Sequence, residues 1–139
     1  MKKNIYLPDE ASTETLAAQI VDALPEDITG WIVLLQGDLG AGKSTLARGM
    51  IRAFGHAGTV PSPTYTLIEP YEISGNLIYH IDLYRISSPD ELEFLGWSDL
   101  ADGLRMGSGR SVCRGLQSKL ISASCCAMRA RGAVPSSLA

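Results

Sequence analysis

Gly37, Gly42, Lys43 and Ser44 occupy every fixed position of the pattern Gly-x-x-x-x-Gly-Lys-[Ser/Thr], in the stretch Gly37-Asp38-Leu39-Gly40-Ala41-Gly42-Lys43-Ser44. Each residue type has a physical task in holding a chain of phosphates. Glycines let the backbone fold so that successive N–H groups point inward at phosphate oxygens. A helix opening near Lys43 presents its unsatisfied N–H groups and positive dipole end to the same anion. The Lys43 ammonium can reach the β- and γ-phosphates, and the Ser44 hydroxyl can ligate Mg²⁺. The pattern has this meaning only between a buried strand and a helix. Trp31-Ile32-Val33-Leu34-Leu35-Gln36 is apolar without alternation, as in a strand buried on both faces. Lys43 to Phe54 reads as a helix closed by Gly55 at a left-handed cap position. Nucleotide binding is therefore expected, against the alternative of a glycine turn that binds nothing.

Such a site needs an acid for the metal, usually at the end of a neighbouring strand. Asp82 ends the run Leu77-Ile78-Tyr79-His80-Ile81 and fits that position. Beside Mg²⁺ an ionised carboxylate is neutralised, whereas alone it carries a desolvation penalty. The alternative is an ordinary strand-end Asp. His80 shares its face and reads as a hydrogen-bonded packing residue before it reads as a base. Between loop and acid lies Pro61-Ser62-Pro63-Thr64, held extended by its prolines. A hydroxyl there can sense the γ-phosphate, as GTPase switch loops do, and a bland loop explains it equally well. Glu69 and Glu91 are candidate water-orienting acids, although surface carboxylates are commoner. Arg48 and Arg52, four apart, suit the solvent face of their helix. Tyr84-Arg85 either packs the next loop or meets a partner. Guanine-specific sites use Asn-Lys-x-Asp, and neither Asn4 nor Asn76 precedes a lysine, so ATP is favoured.

The elements that must position these residues alternate. Ile5-Tyr6-Leu7 is β-prone, and Leu16, Ala17, Ile20, Val21 and Leu24 recur at helical spacing from Thr13 to Leu24, behind Ser12. Tyr65-Thr66-Leu67-Ile68 reads as a short strand, Ser74-Gly75-Asn76 as a turn and Leu77 to Asp82 as a second buried strand. Ser88-Pro89-Asp90-Glu91 is a capping box with Pro at the first helical position, and Gly96 closes the helix behind it. Strand, helix and strand in this order predict an α/β fold with parallel crossovers. The chain has 139 residues, 45% of them hydrophobic and 19% charged, enough for one domain with a core. No apolar run is long enough to cross a bilayer, and Ile5 to Glu10 lacks a signal peptide's apolar stretch, so a soluble, cytoplasmic protein is expected.

Four ordered motifs make the chain resemble a known family. Gly37 to Thr45, Ser62-Pro63-Thr64-Tyr65-Thr66-Leu67, Tyr79-His80-Ile81-Asp82-Leu83-Tyr84-Arg85 and Glu91-Leu92-Glu93-Phe94-Leu95-Gly96 are similar to the TsaE (YjeE) family. These are bacterial ATPases of the machinery that makes threonylcarbamoyladenosine beside the tRNA anticodon. The resemblance runs from about Leu7 to Asp102 and implies a P-loop NTPase-like sandwich with a mostly parallel central sheet. It implies that Leu39, Gly40, Ala41, Gly42, Lys43, Ser44 and Thr45 hold the triphosphate of ATP. It further implies Mg²⁺ on Ser44 and Asp82, with Asp82 as Walker B acid, and Asp9 near the nucleoside. Ser62-Pro63-Thr64 becomes a switch-like loop, placing Thr64 with Lys43 and Asp82 among the catalytic residues. The implied partners are the TsaD transferase and its paralogue TsaB, with tRNA engaged only through the complex.

Past residue 103 the character changes. Residues 1–103 hold six Lys/Arg and all fifteen Asp/Glu, a net of −9; residues 104–139 hold five Arg, one Lys and no acid, a net of +6. All nine aromatics lie at or before Trp97, and Cys113, Cys125 and Cys126 lie beyond it without zinc-ligand spacing. The family continues here with a strand bearing a Glu-Trp pair, whose Glu is a metal ligand; neither residue occurs after Asp102. Two parts are thus expected: a P-loop ATPase domain over 1–103, and a divergent basic tail over 104–139, disordered or the product of a frameshift, leaving C-terminal strands missing or altered. A basic appendage for RNA or an acidic partner is the competing view, without an aromatic platform to support it. Two functional alternatives to a partner-dependent ATPase stand beside it: a small P-loop phosphotransferase, and a nucleotide-binding but inert interaction module.

Overall fold

The computed structural model describes residues 3–37, 42–63, 66–109, 120–125 and 134–138. The elements run β1 (Lys3–Leu7), α1 (Glu10–Ala23), β2 (Ile32–Gly37), α2 (Lys43–Ala53), β3 (Ile68–Ile73) and β4 (Asn76–Asp82). A 3₁₀ turn (Leu83–Arg85), α3 (Pro89–Phe94), a second 3₁₀ turn (Asp99–Asp102), β5 (Leu104–Ser108), β6 (Leu120–Cys125) and β7 (Val134–Leu138) follow. The strands form one sheet in the order β1-β7-β6-β2-β5-β4-β3. β6, β2, β5 and β4 are parallel, and the outer pairs β1/β7, β7/β6 and β4/β3 are antiparallel. This is the mixed α/β architecture with a mostly parallel centre that the alternation of elements predicts.

Strand alternation sorts the apolar residues into two cores. From β2, Val33 and Leu35 face the layer of α1 and α2, while Ile32 and Leu34 face Leu83, Ile86, Leu92 and Trp97 on the other side. A strand buried on both faces explains the unbroken apolar run. α1 buries Leu16, Ala17 and Ile20, and α2 buries Leu46, Ala47, Met50 and Ile51, all in the first core. Truncating one of these large side chains costs about 2–5 kcal/mol.

Several local expectations shift. α1 begins at Glu10 and is capped by Asp9, whose carboxylate accepts from Ser12 N; the helix therefore opens three residues before the expected Thr13. Of the strand expected over Tyr65 to Ile68, Tyr65 lies outside the described residues, and Thr66 and Leu67 are not extended. Leu67 adopts a left-handed backbone (φ 67°), which interrupts extension, and β3 starts at Ile68. Ser74 (φ 52°) and Gly75 (φ 83°) join β3 to β4 in a two-residue hairpin loop. Pro70 is tolerated because β3 is an edge strand.

The boundary expected at residue 103 falls inside the sheet. β5 lies beyond it yet sits between β2 and β4, with Leu104 and Met106 fully buried. The composition break is a property of charge and aromatic usage, whereas strand placement follows the alternate Leu104/Met106 pattern. β6 and β7 also belong to the sheet, so the disorder expected across 104–139 does not extend to 104–108, 120–125 or 134–138.

Candidate functional site

The site grows from the C-terminal ends of the parallel strands, where open α/β sheets place their crevices. β2 ends at Gly37 and α2 begins at Lys43. Gly42 caps α2 with a left-handed backbone (φ 96°), and a side chain there would meet strain and no neighbour, so conformation alone requires glycine. Lys43 is buried at 6% exposure, an unusual place for an ammonium. Its Nζ donates to the Gly37 carbonyl at 2.7 Å and lies 5.0 Å from the centre of the Tyr84 ring. The Tyr84 hydroxyl donates to the same carbonyl at 2.5 Å.

Asp82 reaches this place from the end of β4, one strand further from β2 than expected, because β5 intervenes. It is 8% exposed. Its Oδ1 accepts from Tyr84 N at 3.0 Å, which starts the 3₁₀ turn, and its Oδ2 stands 3.8 Å from Arg85 Nε. The proline loop returns through Leu67, whose carbonyl accepts from Asp82 N at 2.8 Å. That bond ties loop and acid together.

The register pairs Asp82 with Ser108 at the end of β5. Ile78, His80 and Asp82 alternate on one face of β4, as Leu104, Met106 and Ser108 do on β5, and this face is the one covered by α2. His80 Nε2 lies 3.5 Å from Ser108 Oγ, and its buried Nδ1 has no hydrogen-bond partner among the described residues. Burial pushes the imidazole pKa down to about 4, partly opposed by Glu69, so the ring is neutral at pH 7. A cleft of about 470 Å³ joins these groups; Lys43, Ser44, Thr45, Ser62, His80 and Asp82 are among its lining.

The other expected residues distribute as follows. Leu39, Gly40, Ala41 and Thr64 lie outside the described residues. Asp9 does not line the cleft; its carboxylate accepts from Ser12 N at 2.8 Å and Ser12 Oγ at 2.6 Å, and those bonds hold it below the usual carboxylate range. Glu91 works in the capping of α3, accepting from Ser87 N at 2.8 Å while its own N–H donates to Ser88 Oγ. Glu69 accepts from Thr66 Oγ1, and Arg48 pairs with Glu10 at 2.7 Å on the solvent side of α1 and α2. Sequence reasoning left Tyr84 open and missed Ser108. The signal for Ser108 is the short alternation Leu104-Arg105-Met106, obscured by the change in composition.

The sequence model of the family described as "Threonylcarbamoyl adenosine biosynthesis protein TsaE" matches residues 7–109. The tRNA threonylcarbamoyladenosine biosynthesis protein TsaE of Haemophilus influenzae is 51% identical over 96 residues, covering 68% of this chain and 61% of that protein. The protein of the same name from Synechocystis is 42% identical over 90 residues, covering 65% of this chain and 55% of that protein. The chain thus spans about three fifths of the length of these curated relatives. Among solved structures, Bacillus subtilis YdiB superposes with a TM-score of 0.75 at 19% identity, covering 99% of this chain and 84% of that one, a likeness of fold.

Proposed function

The chain belongs to the TsaE family of threonylcarbamoyl adenosine biosynthesis proteins, and on that premise we propose that it is the P-loop subunit that binds and hydrolyses Mg²⁺·ATP in making threonylcarbamoyladenosine on tRNA. The observation behind the reading is the meeting of Lys43, Ser44 and Asp82 on one cleft at the N-terminus of α2. The donor set suits its ligand. A buried ammonium and the opening N–H groups of an eleven-residue helix offer positive charge to phosphate. Asp82 is nearly buried, with one oxygen on a backbone N–H and the other facing a guanidinium only at 3.8 Å, which leaves capacity for a hard cation.

In this reading Lys43 holds the β- and γ-phosphates, Ser44 and Asp82 hold Mg²⁺, and Thr45 supports the helix start. Leu39, Gly40, Ala41 and Gly42 are assigned to the phosphates through their backbone N–H groups, and Thr64 to the γ-phosphate. Bound Mg²⁺ supplies charge neutralisation on the phosphate oxygens. Water adds to the γ-phosphorus, the bond to the bridging oxygen breaks, and ADP and inorganic phosphate leave. Asp9, the cap of α1, is assigned to the nucleoside side. The partners are proteins of TsaD and TsaB type, the tRNA is met through them, and the compartment is the cytoplasm. Among the described residues no helix is long and apolar enough to cross a membrane.

A second reading, a module that binds nucleotide without turnover, has its own support. Asp82 is the one carboxylate lining the cleft among the described residues, and β5 ends there in Ser108 rather than an acid. Calorimetric titration with ATP and Mg²⁺, beside Lys43→Ala, tests both. Saturable binding lost in the variant, followed by phosphate release when TsaB and TsaD are added, supports the ATPase. Binding without release under those conditions selects the inert module, and a folded chain that binds no ATP ends both.

A further inference from the structure

Tyr84 is 38% exposed, yet its hydroxyl is spent on a backbone carbonyl forty-seven positions away in sequence. That carbonyl, of Gly37, belongs to the first residue of the phosphate-loop motif, and it also accepts from Lys43 Nζ. A carbonyl oxygen has two lone pairs, so both donors are accommodated together. The Tyr84 ring meanwhile covers one side of the ammonium, 5.0 Å from ring centre to Nζ, a distance at which the ring quadrupole attracts a cation. The tyrosine is itself held: its N–H donates to Asp82 Oδ1, and a side-chain carbon added at Gly107 would collide with Leu83 of the same turn, so the turn is seated directly on β5.

From these contacts we propose that Tyr84 is the positioning residue for Lys43, keeping the ammonium at the root of the phosphate loop and thereby setting affinity for the polyphosphate end of the nucleotide. The inference rests on the reading of Lys43 as a phosphate ligand. A lysine stem has several rotatable bonds, and ordering it at the moment of binding weakens association. Tyr84 restricts the stem beforehand. The ring occupies one side of the ammonium and the Gly37 carbonyl another. Because Asp82 and Tyr84 belong to one 3₁₀ turn, the groups assigned to metal and to lysine move as a unit.

The test compares the full chain with Tyr84→Leu and Tyr84→Phe by calorimetry, using Mg²⁺ with ATP, ADP and AMP, beside thermal melts. Tyr84→Leu should weaken ATP and ADP about fivefold or more, leaving AMP unchanged, since AMP does not extend to Lys43. Tyr84→Phe keeps the ring over the ammonium and should retain most of the affinity. A structural role predicts instead that AMP weakens in step with ATP, and that result overturns the inference. Unchanged ATP affinity in Tyr84→Leu also overturns it, while the wild type's binding leaves the nucleotide reading intact. A wild type that binds no ATP refutes that reading, and this inference with it. Should Tyr84→Leu fail to fold, Tyr84→Met, which also lacks the ring, takes its place, with selective amine labelling of Lys43 beside it: faster labelling than in the wild type supports a held lysine, and an equal rate refutes it.

Discussion

Ala17 and Gly49 face each other where α1 crosses α2, so closely that a Cβ built on Gly49 would stand 2.8 Å from the Cβ of Ala17. The contact brings α1 down onto the helix that starts at Lys43, and the Arg48–Glu10 pair lies at its exposed margin. Helix propensity alone favours alanine over glycine by about 1 kcal/mol. Overpacking works against it by about 1–3 kcal/mol, since Ala17 is itself fully buried and backed by the sheet. Gly49→Ala should therefore lower the urea midpoint, and Ala17→Gly combined with it should recover part of the loss. An unchanged midpoint in the single variant would mean that separating the two helices costs no more than the propensity gain of about 1 kcal/mol.

Asp82 should matter for the metal more than for the fold. Asp82→Asn keeps an acceptor for Tyr84 N and removes the charge. We expect it to weaken ATP binding in the presence of Mg²⁺ at least about tenfold, or about 1.4 kcal/mol. Chelating the metal should weaken the wild type and leave the variant as it was. Equal sensitivity of the two proteins to chelation removes Asp82 from the metal site.

His80 makes stability depend on pH. Burial lowers its pKa from 6.5 to about 4. In the unfolded chain the imidazole takes up a proton as pH falls through about 6.5, while the folded chain resists until about 4. Stability is therefore lost progressively between those values and this group changes it no further below them. At about 1.4 kcal/mol per pKa unit the gap amounts to roughly 3 kcal/mol. Urea midpoints of wild type and His80→Gln, measured from pH 7 to pH 4, should converge as pH falls. Parallel curves would show that His80 titrates alike in both states.

A chain ended after Gly103 should not fold cooperatively. It would lose β5, with Leu104 and Met106 at no exposure, and so strip both β2 and β4 of a strand partner. Circular dichroism melts should show no sharp transition; a sharp one would restore residue 103 as a domain boundary. The coding DNA tests the frameshift origin proposed for the basic segment, which requires that an alternative frame beyond that point read as family-like strands.

What the sequence made legible was local. The phosphate loop, the strand before it and the helix after it are contiguous, so glycine spacing and apolar periodicity reveal them together. The capping of α3 is equally local, with Ser88, Pro89 and Glu91 within four positions. Asp82 could be picked out as a strand end, but not the strand that separates it from β2, because pairing order in a sheet is not written in either strand. Tyr84 was ambiguous for the same reason: its partner Gly37 is distant in the chain and is a backbone atom with no side-chain signature. Asp9 carries two readings at once. The motif that suggested a nucleoside contact is also a helix cap, and Ser12 takes both of the bonds seen on its Oδ1.

The outermost strand has a consequence for how the molecule comes into being. β1 pairs with β7, Lys3 opposite Leu138, and with no other described strand. On the ribosome, α1, β2 and α2 emerge long before β7 exists, so β1 must wait unpaired until β7 has been made. Its closing contact spans nearly the whole chain, the kind of pairing that slows folding. Until β7 arrives, its open edge is available to any other strand, including that of a neighbouring nascent copy.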